Sequence, residues 1–207
     1  MANETDVVNI ALTLLGQDPI MSINDDTTRA VIAKRRLPDV RDSVLEIPPA
    51  WNFATTRVTL TAQLAFTPAW GMTNAFALPA DFLALMTTRD QTSEFRLEYT
   101  AADGRILVTN MGSVDLIYVA KVETVSVWPP TFVDTVATKL AAEMAIKLTR
   151  NINLMKVMYD LFQVKLDEAR LSDALQAPIE QVTGTHLLTA RIVPAWPDNR
   201  PISNLVP

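Results

Sequence analysis

The chain has no cysteine. That excludes disulfides, a thiolate nucleophile and cysteine-ligated zinc. A single histidine, His186, excludes most histidine-based metal centres. Five glycines in 207 residues argue against a glycine-rich phosphate loop. No apolar run approaches the roughly 20 residues that span a bilayer. The opening Met-Ala-Asn-Glu-Thr-Asp is acidic and unlike the basic start of a signal peptide, so a soluble product made in a cytosol is expected. Positive charge is also short. The net charge is −5 and the pI about 4.9, which speaks against wrapping nucleic acid on a basic surface. What the chain does have is apolar content, 49% of its residues, enough for the core of one domain with an extension.

The apolar residues are most ordered between Phe132 and Ala177. Phe132, Val136, Leu140, Met144 and Leu148 recur every fourth residue, with Val133, Ala137, Ala141 and Ala145 beside them. This is one stripe of an α-helix, predicted over 131–150 with Thr131 as its N-cap. Asn151 and Asn153 mark a turn. A second helix over 154–177 follows, with Met155, Met158, Phe162, Lys165 and Ala169 on one stripe and Val157, Leu161 and Leu171 near it. So short a connection makes the two antiparallel neighbours. Upstream, Val8, Ala11, Leu12 and Leu15 share a face of a helix over 5–15, ended by Gly16. Ala33, Leu37, Val40, Val44 and Ile47 stripe another over 27–47, preceded by capping residues and first-turn acids at Asn24–Thr27 and interrupted by Pro38, where a kink is expected.

From 56 to 127 the period becomes two. Val58, Leu60, Ala62 and Leu64 alternate with polar residues, as do Phe95, Leu97 and Tyr99. Ala102-Asp103-Gly104 is a hairpin turn, and the run Val114 to Val122 is apolar enough to be a central strand. Trp51 and Phe53, after a double proline, are expected to be buried anchors between helix and sheet, with Phe132 on the facing helix. The fold class expected is α+β: an antiparallel helical bundle of about four helices with an inserted small antiparallel β-sheet and an extended C-terminal arm. Residues 1–177 would form the domain and 178–207 the arm. Five prolines interrupt that arm, yet it holds Leu187, Leu188, Ile192, Val193, Trp196 and Leu205, more apolar residues than a disordered tail keeps. It either lies on another subunit or partner, or folds back on its own domain.

No catalytic set emerges. His186 has no cysteine to pair with, and no Gly-x-Ser-x-Gly elbow is present. Asp25, Asp26, Asp39, Asp42 and Glu46 could supply an acid and a nucleophile for glycoside cleavage. Asp39, Asp42 and Glu46 are interleaved with Arg35, Arg36 and Arg41, however, and a solvated or interface charge face accounts for them better; Asp167 and Glu168 near Arg170 read the same way. Met144, Met155 and Met158 read as core. No catalytic residue, cofactor or metal is expected.

An ordered series of fragments carries more information. Asn9-Ile10-Ala11-Leu12, Leu15-Gly16 and Pro19-Ile20 are followed by Arg41-Asp42-x-x-Leu45 and Trp51-Asn52-Phe53-Ala54, then by the Thr-Arg-x-x-Leu of 56–60 and Leu78-Pro79-Ala80-Asp81-Phe82. Tyr118-Val119, Phe132 and Leu140-Ala141-Ala142-Glu143-Met144-Ala145 complete it. In order and spacing over residues 7–177 this resembles the tail tubular protein A family of short-tailed bacteriophages. Thr189-Ala190-Arg191 resembles the end of many members, whereas the proline-rich extension after it departs from them.

The resemblance implies a structural, non-enzymatic role in a virion as a head-to-tail adaptor, or gatekeeper. Such proteins form a ring, usually of twelve subunits, between the portal protein and a tail nozzle protein of the tail tubular protein B kind. Tail fibres often attach near the joint, and DNA passes through the channel on ejection. On this reading Leu187, Leu188, Ile192 and Trp196 of the arm would contact the portal or a neighbouring subunit, with no membrane involved. Two other readings stand beside it: a glycan-degrading enzyme of the tail, and a small α+β module binding a peptide along its sheet edge.

Overall fold

The computed structural model describes residues 3–61, 64–66, 68, 70–89 and 94–176. Its unit Met1–Ala177 is α+β. Among the described residues four helices, α1 (Glu4–Leu14), α2 (Thr28–Leu45), α3 (Pro130–Thr149) and α4 (Ile152–Ala174), bracket six strands: β1 (Thr55–Leu60), β2 (Asn74–Ala77), β3 (Phe82–Thr88), β4 (Phe95–Thr100), β5 (Gly104–Thr109) and β6 (Val114–Ala120).

α3 is the central element. Phe132, Val136, Leu140 and Met144 are fully buried, but so are Ala137, Ala141, Ala142 and Ala145. A helix buried this widely needs neighbours on several sides, and α1, α2 and α4 all pack on it. The alanines keep its surface low and so admit close neighbours. The helix begins one residue before the expected cap. Pro130 occupies its first position, where the missing N–H costs nothing because that donor has no intrahelical partner. The α3–α4 corner also differs in detail. Arg150 takes the left-handed conformation (φ 53°). The Asn151 side chain caps α4 by accepting the N–H groups of Asn153 (3.0 Å) and Leu154 (3.1 Å), so α4 starts two residues earlier than its stripe suggests. At α2 the cap is Thr27 and the expected first-turn acids lie outside the helix. The helix continues through Pro38 and buries Ala33, Leu37, Val40 and Val44.

α1 is held by a capping box between Asn3 and Asp6, two reciprocal bonds of 2.9 Å. Further along, the Asn9 amide donates to the Ile20 carbonyl (3.1 Å) and accepts the Ile20 N–H (2.8 Å). It thus serves as the partner of both backbone groups of Ile20. Asn9→Ala removes both bonds and leaves two part-buried backbone groups unpaired. We expect it to lower unfolding free energy by about 2 kcal/mol, measurable as a lower denaturant midpoint at unchanged m-value.

The β region is two three-stranded antiparallel sheets, where one small sheet was expected. One has the order β1-β6-β3, with β6 central as its apolar run suggested; the other is β2-β5-β4. The layers follow from alternation along β6. Val119 joins the helical core with Trp51, Phe132 and Ala54. Leu116, Tyr118 and Ala120 point the other way, to Phe76 of β2 and Leu107 of β5. The first sheet is therefore sandwiched between helices and the second sheet. Ala75, Ile106 and Val108 form a separate small cluster, against which Leu64 and Met72 pack among the described residues. β4 is an edge strand, and its Leu97 and Tyr99, which alternate with polar residues, are 43% and 75% exposed.

Candidate assembly surfaces

Where the sequence fragments fall is informative. Asn9 ties α1 to Ile20. Arg41, only 5% exposed, meets Asp42 (2.6 Å) and Glu123 (3.6 Å), and Lys121 closes the network onto Asp42 (3.2 Å). This anchors α2 to the segment after β6, an internal network where a solvated or interface charge face was expected at Arg41 and Asp42. Asp81 accepts the Tyr118 hydroxyl (2.9 Å) while its carbonyl accepts the Lys121 N–H (2.7 Å). Burial, reinforced by that carboxylate bond, pushes the Tyr118 phenol up to about 12. Phe82 stacks on the same ring at 5.6 Å. Fragments far apart in the chain thus meet as scaffold.

Trp51 and Phe132 are buried with ring centroids 4.9 Å apart, Phe53 lies 4.9 Å from Phe132, and Trp128 lies 5.2 Å from it. The Trp51 indole N–H donates to the Val44 carbonyl (2.9 Å). Arg170, expected on a charged outer face, turns inward. Its guanidinium lies 3.8 Å over the Trp51 ring and donates to the carbonyls of Ile47 and Pro49. Burial lowers its pKa from the ordinary value, opposed by Asp173. Asp173 in turn accepts the Asn52 N–H (3.0 and 3.2 Å), and its carbonyl accepts from the Asn52 amide (2.7 Å). Beyond the Trp51-Asn52-Phe53 fragment this clamp has no signature in the sequence, because charged residues at helical spacing read as surface.

The carboxylates considered for glycoside chemistry are not paired with one another. Asp25 caps the turn at Met21 and Ser22 (3.1 and 3.0 Å). Asp39 lies 3.9 Å from Arg36, and Asp42 is held by Arg41 and Lys121. A cleft of about 500 Å3 on the first sheet is lined by Arg57, Thr59, Arg89 and one carboxylate, Asp115. The Thr59 hydroxyl (2.6 Å), helped by Arg89 (3.4 Å), holds that carboxyl below its ordinary value. A single, already paired carboxylate does not make the two-carboxylate arrangement that glycoside cleavage uses. Among the described residues no cluster of potential metal ligands occurs and no helix is long and apolar enough to cross a membrane. Leu187, Leu188, Ile192, Trp196 and His186 lie outside the described residues.

What remains unspent is apolar surface. On α4, Met158, Phe162, Leu166 and Ala169 are buried against α3, whereas Val157 (55%), Val164 (54%), Leu171 (67%) and Leu175 (81%) are exposed. Val157 and Leu171 thus sit away from the buried stripe near which their spacing put them. Tyr99 (75%) on the outer sheet and Trp70 (82%) in the segment before β2 are exposed as well. Scattered exposed apolar residues are ordinary; a continuous stripe along a helix marks a contact surface.

Fold and surfaces together define a structural building block: an α+β unit in which the quoted fragments serve as scaffold and whose outer helix is apolar on two sides. The chain belongs to the tail tubular protein family, whose family model, described as tail tubular protein, matches residues 5–125. It is accordingly a structural protein of the bacteriophage tail. A search of curated proteins finds no match.

Proposed function

We propose that the chain is the head-to-tail adaptor of a short-tailed phage virion, a non-enzymatic ring between the portal and the tail nozzle through which DNA passes on ejection. The observation that carries this reading is the family match over residues 5–125. It is supported by the exposed apolar face of α4, which a lone subunit leaves uncovered, and by the net charge of −5. A channel wall poor in lysine and arginine does not retain DNA, because each phosphate contact would add affinity.

In this reading residues 1–177 are the ring body, with α2, α3 and α4 making its subunit contacts. The β region faces the nozzle protein or tail fibres. The arm 178–207 docks on the portal through Leu187, Leu188, Ile192 and Trp196. A dodecamer matches the resemblance.

The test is native mass of the full-length protein, alone and mixed with its portal, with images of any large species. The expected result is a closed ring, in isolation or templated by the portal. A persistent monomer that ignores the portal would overturn the adaptor reading. Deleting 178–207 is expected to weaken portal binding at least tenfold while leaving the circular dichroism of the body unchanged. Undiminished binding would remove the arm from the portal contact.

A further inference from the structure

We infer that the outward face of α4 seats on the outward face of α2 of a second copy, a head-to-tail contact between unlike surfaces; this rests on the ring reading above and gives it an interface. Leu154, Val157, Leu161, Val164, Glu168, Leu171 and Leu175 follow one another at alternating steps of three and four residues. That alternation keeps them on one line of a helix and is the spacing by which one helix seats against another. The line lies roughly 110° around the helix from the stripe that Met158, Phe162 and Ala169 lay on α3, at about 100° per residue. Leu154 and Leu161, at its inner edge, also pack on the helical core, whereas Val157, Val164, Leu171 and Leu175 stay exposed, and own-core packing does not account for these four.

Charge selects the partner. Glu168 sits within the stripe, and Asp160 and Asp167 border it. Lys165 answers Glu168 at 2.8 Å, and the face stays acidic. Two α4 helices placed face to face would bring the acids of both copies together, which is unfavourable. A basic, partly apolar helix face is what fits. α2 supplies one. Between Thr28 and Pro38 it has no acid and carries Arg29, Lys34, Arg35 and Arg36. Val31, exposed at 38%, is flanked on its side of the helix by Lys34 and Arg35, while Arg29 and Arg36 lie on the other side and Asp39 follows one turn after Arg35. Arg29 and Arg36 have partners in Asp18 and Glu143, whereas Arg35 is exposed and makes no ion pair among the described residues. α2 and α4 both pack on α3 and make little contact with each other, so each copy offers the two complementary faces at once. Such a contact is heterologous: repeated from copy to copy it closes into a ring or runs on as a filament.

The test uses the full chain and exploits the absence of native cysteine. Val31→Cys and Val164→Cys chains are mixed and oxidised, and separately combined in one chain. Disulfide-linked heterodimers from the mixture and a covalent ladder from the double variant are expected. Val164→Glu and Leu171→Glu, both at exposed positions, should raise the concentration needed for assembly at least tenfold with an unchanged circular dichroism spectrum. Val164→Cys chains that link chiefly to each other would overturn the α2 assignment. So would assembly of Val164→Glu and Leu171→Glu at the wild-type concentration. If the wild type itself forms no assembly, alone or on the portal, the ring reading falls and this interface with it. That outcome is distinct from a ring that forms and ignores these substitutions.

Discussion

Replacing Phe132 with alanine is expected to lower the unfolding free energy by about 3–5 kcal/mol, the range for deleting a fully buried phenylalanine side chain. Phe132 is inaccessible to solvent and stands at the point where three parts of the fold meet. Trp51 and Phe53 reach it from the segment after α2, and Trp128 from the turn before α3. The rings meet edge to face, at 67° to 86°, so each pair adds roughly 0.5–1.5 kcal/mol beyond its buried area. Rigid neighbours also limit how far the cavity can collapse, which places the cost towards the upper part of the range. Phe132→Leu keeps most of the volume and loses the ring contacts, and should cost about 1–2 kcal/mol. Urea denaturation of both variants, followed by tryptophan fluorescence, separates the two contributions. A Phe132→Ala midpoint within error of the wild type would mean that the aromatic cluster does not hold helices and sheet together.

Phe132 was legible because its neighbours repeat every fourth residue and because aromatics after a double proline have few places to go. The helices were legible for the same reason: a buried stripe imposes the helical period on the sequence. The division into two sheets was not. Alternation tells that a strand has two faces, not which sheet it joins, and β1 pairs with β6 across Thr55↔Val119, far apart in sequence. The cap expected at Thr131 falls instead at Pro129, because Pro130 fits the first helical position. Val157 and Leu171 show a different limit. An apolar residue reads the same whether it faces its own core or another molecule, so the spacing that placed both near the buried stripe could not separate α4's two sides. Arg41 and Arg170 show the converse, since a charged residue reads as surface until the groups that receive it are known.

Arg170 yields the second large effect. Arg170→Ala is expected to cost about 3 kcal/mol, from the stacked guanidinium over a buried Trp51 ring, about 1–2 kcal/mol, and from charge-assisted bonds to two carbonyls that would be left without their donor. Arg170→Lys should recover less than half, because an ammonium neither stacks in that way nor forks between Ile47 and Pro49. Asp173 belongs to the same unit. One turn along α4, it holds the Asn52 N–H immediately after Trp51, and its charge favours the cationic guanidinium against burial. A double-mutant cycle of Arg170→Ala with Asp173→Ala should therefore show a coupling of about 1 kcal/mol or more. The clamp fixes the C-terminal half of α4 to the junction of α2 and β1, and so sets where Leu171 and the outward stripe stand relative to the body. If α4 is a subunit contact, Arg170→Ala should weaken assembly under conditions where the subunit is still fully folded, even though Arg170 itself faces inward. Unimpaired assembly together with an additive cycle would make the clamp a local feature of stability with no part in positioning the helix.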